Sequence, residues 1–557
     1  MMSRKATLET VIKNNFLIFN DINDLTLAPK DGSKVTDPLV LNITECSLSQ
    51  KLHYESLLNG ADLILTSTLR ANPFQYEENK EDYSLAQIIK AAVTNACQAI
   101  KQAGRQAYVA YVIGPLGKEA LSFEQTYDAY AKIVKIAVQE DIDVFMIDKM
   151  SDLYEAKAAV LAVKENSAKP FFVSVALTKN GTTSAGNDLH SIVVTLESLG
   201  VTVIGLSCAA KMVEVLPFIK EFIKYTSTPF MLQLTVDYRA DDDLYVAAFM
   251  ESLRTIMALG VNIIGLNNAP NNLLKKVAAD VKTKEVIHLA PKTLTTACSG
   301  FITVIFDDNF IKIGERLNPS SNIILQEALL KDNFAPYVKE ALKQEEEQAD
   351  ILDVNVGLSG YDEVYGLSEA VKKIQAQVKI PLQLDTVDAN ALAEALRIYN
   401  GKPIINSVTG TAASLNKVLP LAKQYGALLI GLCLDEKGPA LSVAEKLRVA
   451  GKILSQAQAI GIKKENLIID PLALTLYAHP QHLKASLDAL PIIKKELGVK
   501  TILGISNVSF GLLAREVVNS AYLSMALYNG LDSAIINPAS TEVMTAIKIS
   551  TEILNKK

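Results

Sequence analysis

Apolar and polar positions along this chain follow two alternating rhythms. Short runs rich in Val, Ile, Leu and Phe are followed by longer stretches whose apolar residues recur every three or four positions, the pattern of strands alternating with helices around a parallel sheet. The second half holds eight such runs: FIKIGERLN (310–318), ILDVNVG (351–357), PLQLDT (381–386), PIINSVTG (403–410), ALLIGLCLD (427–435), LIIDPLA (467–473), KTILGISN (500–507) and DSAIINPA (532–539). The first half holds eight more: FLIFN (16–20), DLILTST (62–68), AYVAYVIG (107–114), DVFMID (143–148), PFFVSVAL (170–177), VTVIGLSC (201–208), PFMLQLTV (229–236) and VNIIGLNN (261–268). YEAKAAVLAVKENS (154–167) reads as a helix between two of them, and the stretch 269–309 is expected to carry a helix and join the halves. Eight strand–helix units in about 250 residues is the size of a TIM barrel. The expected class is therefore α/β, with two TIM (β/α)8 barrels in tandem at 1–300 and 301–557. A doubly wound dinucleotide fold is disfavoured, because no Gly-rich fingerprint follows an early strand.

Composition narrows the function classes. The 557 residues are 49% hydrophobic and 21% charged, enough for a large core in each half. Net charge is only -6 and no basic block stands out, so nucleic acid is not an expected partner. The N-terminal MMSRKATLET lacks the apolar stretch of a secretory signal, and the longest apolar runs, such as 427–434, fall far short of a membrane span. Five scattered cysteines (Cys46, Cys97, Cys208, Cys298, Cys433) show no paired spacing for a disulfide framework. A cytoplasmic protein without a membrane segment is expected.

Active sites of TIM barrels lie at the C-terminal ends of the strands. In the second half every strand ends in or near Asp or Asn: Asn318, Asn355, Asp385, Asn406, Asp435, Asp470, Asn507 and Asn537. Asp and Asn also serve as turn formers and helix N-caps, so any one of them carries little weight alone. All eight together form a rim of acceptors and amides. It has no His or Cys cluster for a metal and no Ser–His pair for acyl transfer. Such a rim suits a flat heterocycle edged with N–H donors and carbonyl acceptors, and many heterocycles would fit. The histidines His53, His190, His288, His479 and His482 show no site-like spacing. His479 and His482 follow the sixth strand of the second half, where a helix-start surface role is the simpler reading.

IGERLNP (313–319), ILDVNVG (351–357), INSVTG (405–410), IIDPLAL (468–474), LGISNVSFGLLAR (503–515) and AIINP (534–538) resemble the pterin-binding domain of methyltetrahydrofolate methyltransferases. The motifs run in order through the whole second half. The resemblance implies that Asp385, Asn406 and Asp470 hold the pterin ring and that Asn507 lies near N5, the nitrogen bearing the methyl group. It places Glu315, Asn318, Asp353, Asn355, Gly504 and Ser506 in the same pocket and Arg515 near the acidic folate tail. Asn507 and Asp385 are the catalytic candidates. It further implies methyltetrahydrofolate as substrate and a cobalt(I) corrinoid as methyl acceptor. With no cobalamin-binding module in this sequence, the corrinoid is expected on a separate protein. Related pterin barrels often pair as homodimers, and no feature of the sequence decides for or against one.

NGADLILTSTLRAN (59–72), EAKAAVLAV (155–163), VIGLSC (203–208) and GVNIIGLNNAP (260–270) resemble the homocysteine methyltransferase barrel. The two halves thus resemble the first two modules of cobalamin-dependent methionine synthase. That family binds zinc through three cysteines; here Cys208 remains, while Asn267 and Asn268 replace the cysteine pair. Amides are poor zinc ligands, so zinc is not expected, and nothing places Cys298 or His288 at this rim. The family's Gly-rich first loop reads NDINDL (20–25), and its glutamate after the fourth strand appears as Asp148. The expected function is methyl transfer between methyltetrahydrofolate and a corrinoid protein. The alternatives are the homocysteine/folate half of a split methionine synthase, a dihydropteroate synthase disfavoured by its missing basic C-terminal motif, and a non-catalytic folate-binding or docking protein. The first barrel is then a docking scaffold, a site for a different methyl partner, or a homocysteine site of another kind.

Overall fold

The computed structural model describes residues 4–21, 37–76, 82–208, 212–236 and 242–554. Of the first loop, residues 22–25 lie outside the described residues. The chain divides into two compact units, Met1–Lys292 and Thr293–Lys557.

In the first unit all eight expected runs are strands: β1 (Leu17–Asp21), β2 (Leu63–Leu65), β3 (Tyr108–Ile113), β4 (Val144–Met150), β5 (Phe171–Ala176), β6 (Val203–Cys208), β7 (Phe230–Thr235) and β8 (Val261–Asn267). They form one parallel sheet in the order β1-β8-β7-β6-β5-β4-β3-β2. At the remaining seam the amide of Asp62 donates to the Ile18 carbonyl at 2.7 Å, which all but closes the barrel. Alternate residues face the interior, and there Phe19, Leu65, Val112, Met146, Phe172, Val203, Met231 and Ile263 form one core. Leu8 and Ile12 of the N-terminal helix Arg4–Asn14 join that core. The helix expected at 154–167 spans Leu153–Asn166, with Asp152 accepting from the Tyr154 amide at its start. Capping boxes at Ser84/Gln87 and Ser122/Gln125 start two further helices by satisfying amides that have no partner in the first turn.

The second unit opens with a hairpin, β9 (Thr296–Ser299) and β10 (Thr303–Ile305), which was not among the expected elements. The barrel strands are β11 (Ile311–Leu317), β12 (Ile351–Val354), β13 (Leu382–Asp385), β15 (Ile404–Thr409), β16 (Leu428–Leu432), β19 (Leu467–Asp470), β20 (Lys500–Gly504) and β21 (Ser533–Ile536), again matching all eight runs. They close into a complete barrel. Short β14 (Gly401–Lys402) pairs with β9, and β17 (Leu434–Asp435) with β18 (Gly438–Pro439). Ala297, Val304 and Phe306 of the hairpin region share one buried cluster with Ile313, Ile351, Ile404, Ile430, Ile468 and Ile502. The hairpin therefore plugs the end of the barrel from which the strands start, leaving the opposite end for polar groups.

No helix among the described residues is long and apolar enough to cross a membrane.

Candidate functional site

The mouth of the second barrel follows from strand alternation. Ile313, Ile351, Ile404, Ile468 and Ile502 hold the apolar layer, and two residues further along the same strands stand Glu315, Asp353, Asn406, Asp470 and Gly504. Each strand passes from core to polar mouth in one step.

Asp353 is 7% exposed and accepts from Gln383 Nε2 at 2.6 Å and from Asn406 Nδ2 at 3.3 Å. Asn355 Nδ2 donates to Asp385 Oδ2 at 3.0 Å, while its own Oδ1 accepts from the Gly357 amide at 2.8 Å. Ser506 Oγ donates to Glu315 Oε1 at 2.7 Å. The Leu472 amide donates to Asp470 Oδ1 at 2.6 Å. Leu472 adopts φ 63, and the buried Lys446 ammonium donates to the carbonyls of Pro471 (2.5 Å) and Leu472 (3.3 Å), fixing that turn. A cis peptide joins Asn406 to Ser407.

Burial dominates the electrostatics. It pushes Asp353 well above the usual carboxylate range, with the repulsion of Asp385 adding to it. Burial likewise raises Asp385 and Glu315, and lifts Asp470 to about 6. Burial lowers Lys446. The four carboxyls are held by neutral amides, a hydroxyl and a backbone N–H rather than by ion pairs. Gln383 Oε1 is fully buried without a hydrogen-bond partner.

The other sequence candidates fall around this cluster. Asn507 is exposed, its Nδ2 so near Gly504 that a Cβ there would lie 3.0 Å away. Arg515 donates to Ser509 Oγ and to the Ser506 carbonyl, both at 3.0 Å, and so clamps the loop that carries Ser506 and Asn507. Asn318 accepts from the Ser320 amide at the start of a short 3-10 turn. Asn537 accepts from Arg316 Nη1 at 2.7 Å. Asp435 accepts from Arg448 Nη2 (2.7 Å) and from the Lys437 amide (2.9 Å) in the β17–β18 hairpin. Gln383 and Lys446 were not candidates from the sequence. Gln383 shares the parity of Asp385 in PLQLDT, which would have flagged it, whereas nothing local marks Lys446.

At the mouth of the first barrel Asp21, Asp148, Lys149, Ser174, Gln233 and Asn267 stand at strand ends. Asn20 exchanges hydrogen bonds with the Ala269 backbone at 3.0 and 3.1 Å, and Asn267 Nδ2 donates to Thr235 Oγ1 at 3.3 Å. Cys208 is 3% exposed, burial lifts its thiol to about 12, and it has the parity of Ile204 and Leu206 rather than of the interior Val203. Cys298 lies in β9 of the other unit, where its Sγ accepts from the Lys402 amide. His288 is exposed on the segment after the helix Asn271–Val281.

Residues 26–266 match the family model described as Homocysteine S-methyltransferase, and residues 314–537 match Pterin binding enzyme. The methionine synthase of Mycobacterium leprae is 24% identical over 542 residues, which covers 89% of this chain and 45% of the relative. That of Mycobacterium tuberculosis is 25% identical over 564 residues, covering 94% and 47%. The chain thus spans about half the length of the curated relatives it matches. Among solved structures, the metallated form of the homocysteine methyltransferase MmuM from Escherichia coli is 17% identical with a TM-score of 0.43, covering 50% of this chain and 99% of that one. In its two matched modules and their order, the chain is similar to the two-module N-terminal half of methionine synthase-like proteins.

Proposed function

We propose that this protein transfers a methyl group between 5-methyltetrahydrofolate and the cobalt of a corrinoid carried on a separate protein, with the chemistry at the mouth of the second barrel. The observation that carries this reading is the cluster of Glu315, Asp353, Asp385 and Asp470, two buried and two half-buried carboxyls drawn toward their protonated forms and paired only with neutral donors. Such acceptors gain most from a ligand that brings N–H groups, and a pterin offers an amino group and ring N–H groups along one edge.

On this reading Asp353, Asp385, Asn406 and Asp470 bind the ring, and Asn507 lies by N5. When the methyl leaves, N5 keeps the bonding electron pair and must gain a proton to give tetrahydrofolate. A tertiary amine is a poor leaving group, so a hydrogen bond that strengthens at N5 lowers the barrier. The Asn507 amide is not itself an acid, so it orients a water or supports the N5–H bond as it forms. A corrinoid, when docked, supplies the strongly nucleophilic cobalt(I) centre that accepts the methyl. Loops at the rim carry the largely exposed Val387, Tyr477, Phe510 and Leu513, an apolar surface suited to a protein partner.

A second reading, the homocysteine/folate half of a split methionine synthase, is favoured by the match of residues 26–266. One assay separates them: the full chain is incubated with 5-methyltetrahydrofolate and free cob(I)alamin, with and without homocysteine. Tetrahydrofolate and methylcobalamin formed in equal amounts, unaffected by homocysteine, support the first. Methionine appearing only when the chain is present supports the second. Folate bound but never demethylated removes both and leaves a binding protein.

A further inference from the structure

The mouth of the first barrel holds two carboxylates bridged by one lysine. β4 has one residue more than β5 over the same span: Ile147 pairs with Val173 and Met150 with Val175, so Asp148 and Lys149 together oppose Ser174. Lys149 adopts φ 57 in this bulge. In a regular strand consecutive side chains leave on opposite faces; the bulge re-aims them, and both Asp148 and Lys149 reach the interior.

The Lys149 ammonium pairs with Asp21 at the end of β1 and lies 3.6 Å from Asp148 Oδ2. β1 and β4 are not neighbours in the sheet, so this contact crosses the mouth. Asp148, 1% exposed, also accepts from Ser174 Oγ at 2.5 Å and Gln233 Nε2 at 3.4 Å, and the Lys149 amide donates to Ser174 Oγ at 2.9 Å. Burial pulls the ammonium toward its neutral form, but Asp148 and Asp21 outweigh it and hold Lys149 above the usual lysine value. Two amide oxygens of this mouth, Gln233 Oε1 and Asn267 Oδ1, are buried without a hydrogen-bond partner.

Two carboxylates and two amide oxygens are the donor set of a hard cation, not of zinc, which favours thiolate and imidazole. The only cysteine at these strand ends, Cys208, is buried and held protonated. Among the described residues no group of three or more His, Cys, Asp or Glu side chains could hold a metal ion, and the remaining segments of this unit contain neither Cys nor His.

We propose that the Lys149 ammonium is the resident cation of the first barrel, standing where a metal ion would stand, so that this mouth works without the zinc its family likeness implies. The chain itself neutralises Asp21 and Asp148. A thiol brought here would find no metal to stabilise its thiolate, and an ammonium already balanced by two carboxylates.

The test uses the full chain and reads metal content and thermal unfolding, so it stands apart from folate chemistry. Wild type loaded with excess zinc and desalted should retain only substoichiometric metal, and its unfolding midpoint should not respond to chelator. Lys149→Ala should lower the midpoint of the first unit by on the order of 10 °C, because two buried carboxylates lose their partner, and millimolar Mg2+ or Ca2+ should restore much of the loss. Lys149→Arg, which keeps the charge, should remain indifferent to divalent cations. One zinc per wild-type chain that raises the midpoint overturns the proposal. So does a Lys149→Ala variant that matches wild type or whose stability ignores divalent cations. Should Lys149→Ala not be recovered folded, Lys149→Arg carries the test, and a metal requirement gained there counts against the proposal.

Discussion

Asp470 sits at the end of β19 with its carboxyl buried, one oxygen taken by the Leu472 amide and the Lys446 ammonium nearby. Those two favour the charged form, yet burial outweighs them and lifts the pKa from 3.8 to about 6. A carboxyl whose folded pKa exceeds its unfolded one binds more protons in the native state. Its contribution to stability is therefore fully present below about 3.8 and is lost as pH rises through about 6. At neutral pH that loss is on the order of 3 kcal/mol. We expect Asp470→Asn, which keeps an acceptor for the Leu472 amide, to raise the unfolding midpoint at neutral pH and to lose that advantage in acid. The same variant should weaken pterin binding at least ~10-fold, since a neutral amide replaces a charged acceptor. Calorimetry of unfolding and of folate binding checks both; a variant that loses binding without gaining stability would show that the burial cost is not what Asp470 bears.

Among the elements, the loops after β13 and β20 present Val387 and Leu513 almost wholly exposed, next to strands that end in the site. If a corrinoid protein docks there, Val387→Asp and Leu513→Asp should raise the KM for the protein-bound corrinoid several-fold while transfer to free cob(I)alamin stays near wild type. Equal effects on both acceptors would place these side chains in folate binding instead. Much of this architecture was legible in the sequence. Sixteen short apolar runs marked sixteen strands, and the strand ends named Asn406 and Asp470, while Asp353 came only through the family resemblance. What local pattern could not supply was context. The bulge at Lys149 has no period, and IDKM reads like any strand end. Asn318 and Asp435 look like rim residues but serve a 3-10 turn and a two-strand hairpin, the ordinary work of Asn and Asp. Lys446 joins the site only because its helix, Val443–Ala459, packs under the Asp470 turn.

For the whole molecule, the two barrels share one architecture and carry different mouths. The first is bridged by Lys149 between Asp21 and Asp148, with its one strand-end cysteine buried. The second gathers carboxyls that lack ion pairs and leaves Gln383 Oε1 without a partner. On this account methyl-transfer chemistry resides in the second barrel, with Asn507 acting on N5. The most direct measurement is the single-turnover rate of methyl transfer from bound 5-methyltetrahydrofolate to cob(I)alamin in the full chain and in Asn507→Ala. The account predicts measurable transfer in wild type and a rate about 100-fold lower in the variant, with folate affinity changed only a few-fold. A wild-type rate in Asn507→Ala, or a wild-type chain that binds the folate and never releases its methyl group, would contradict it.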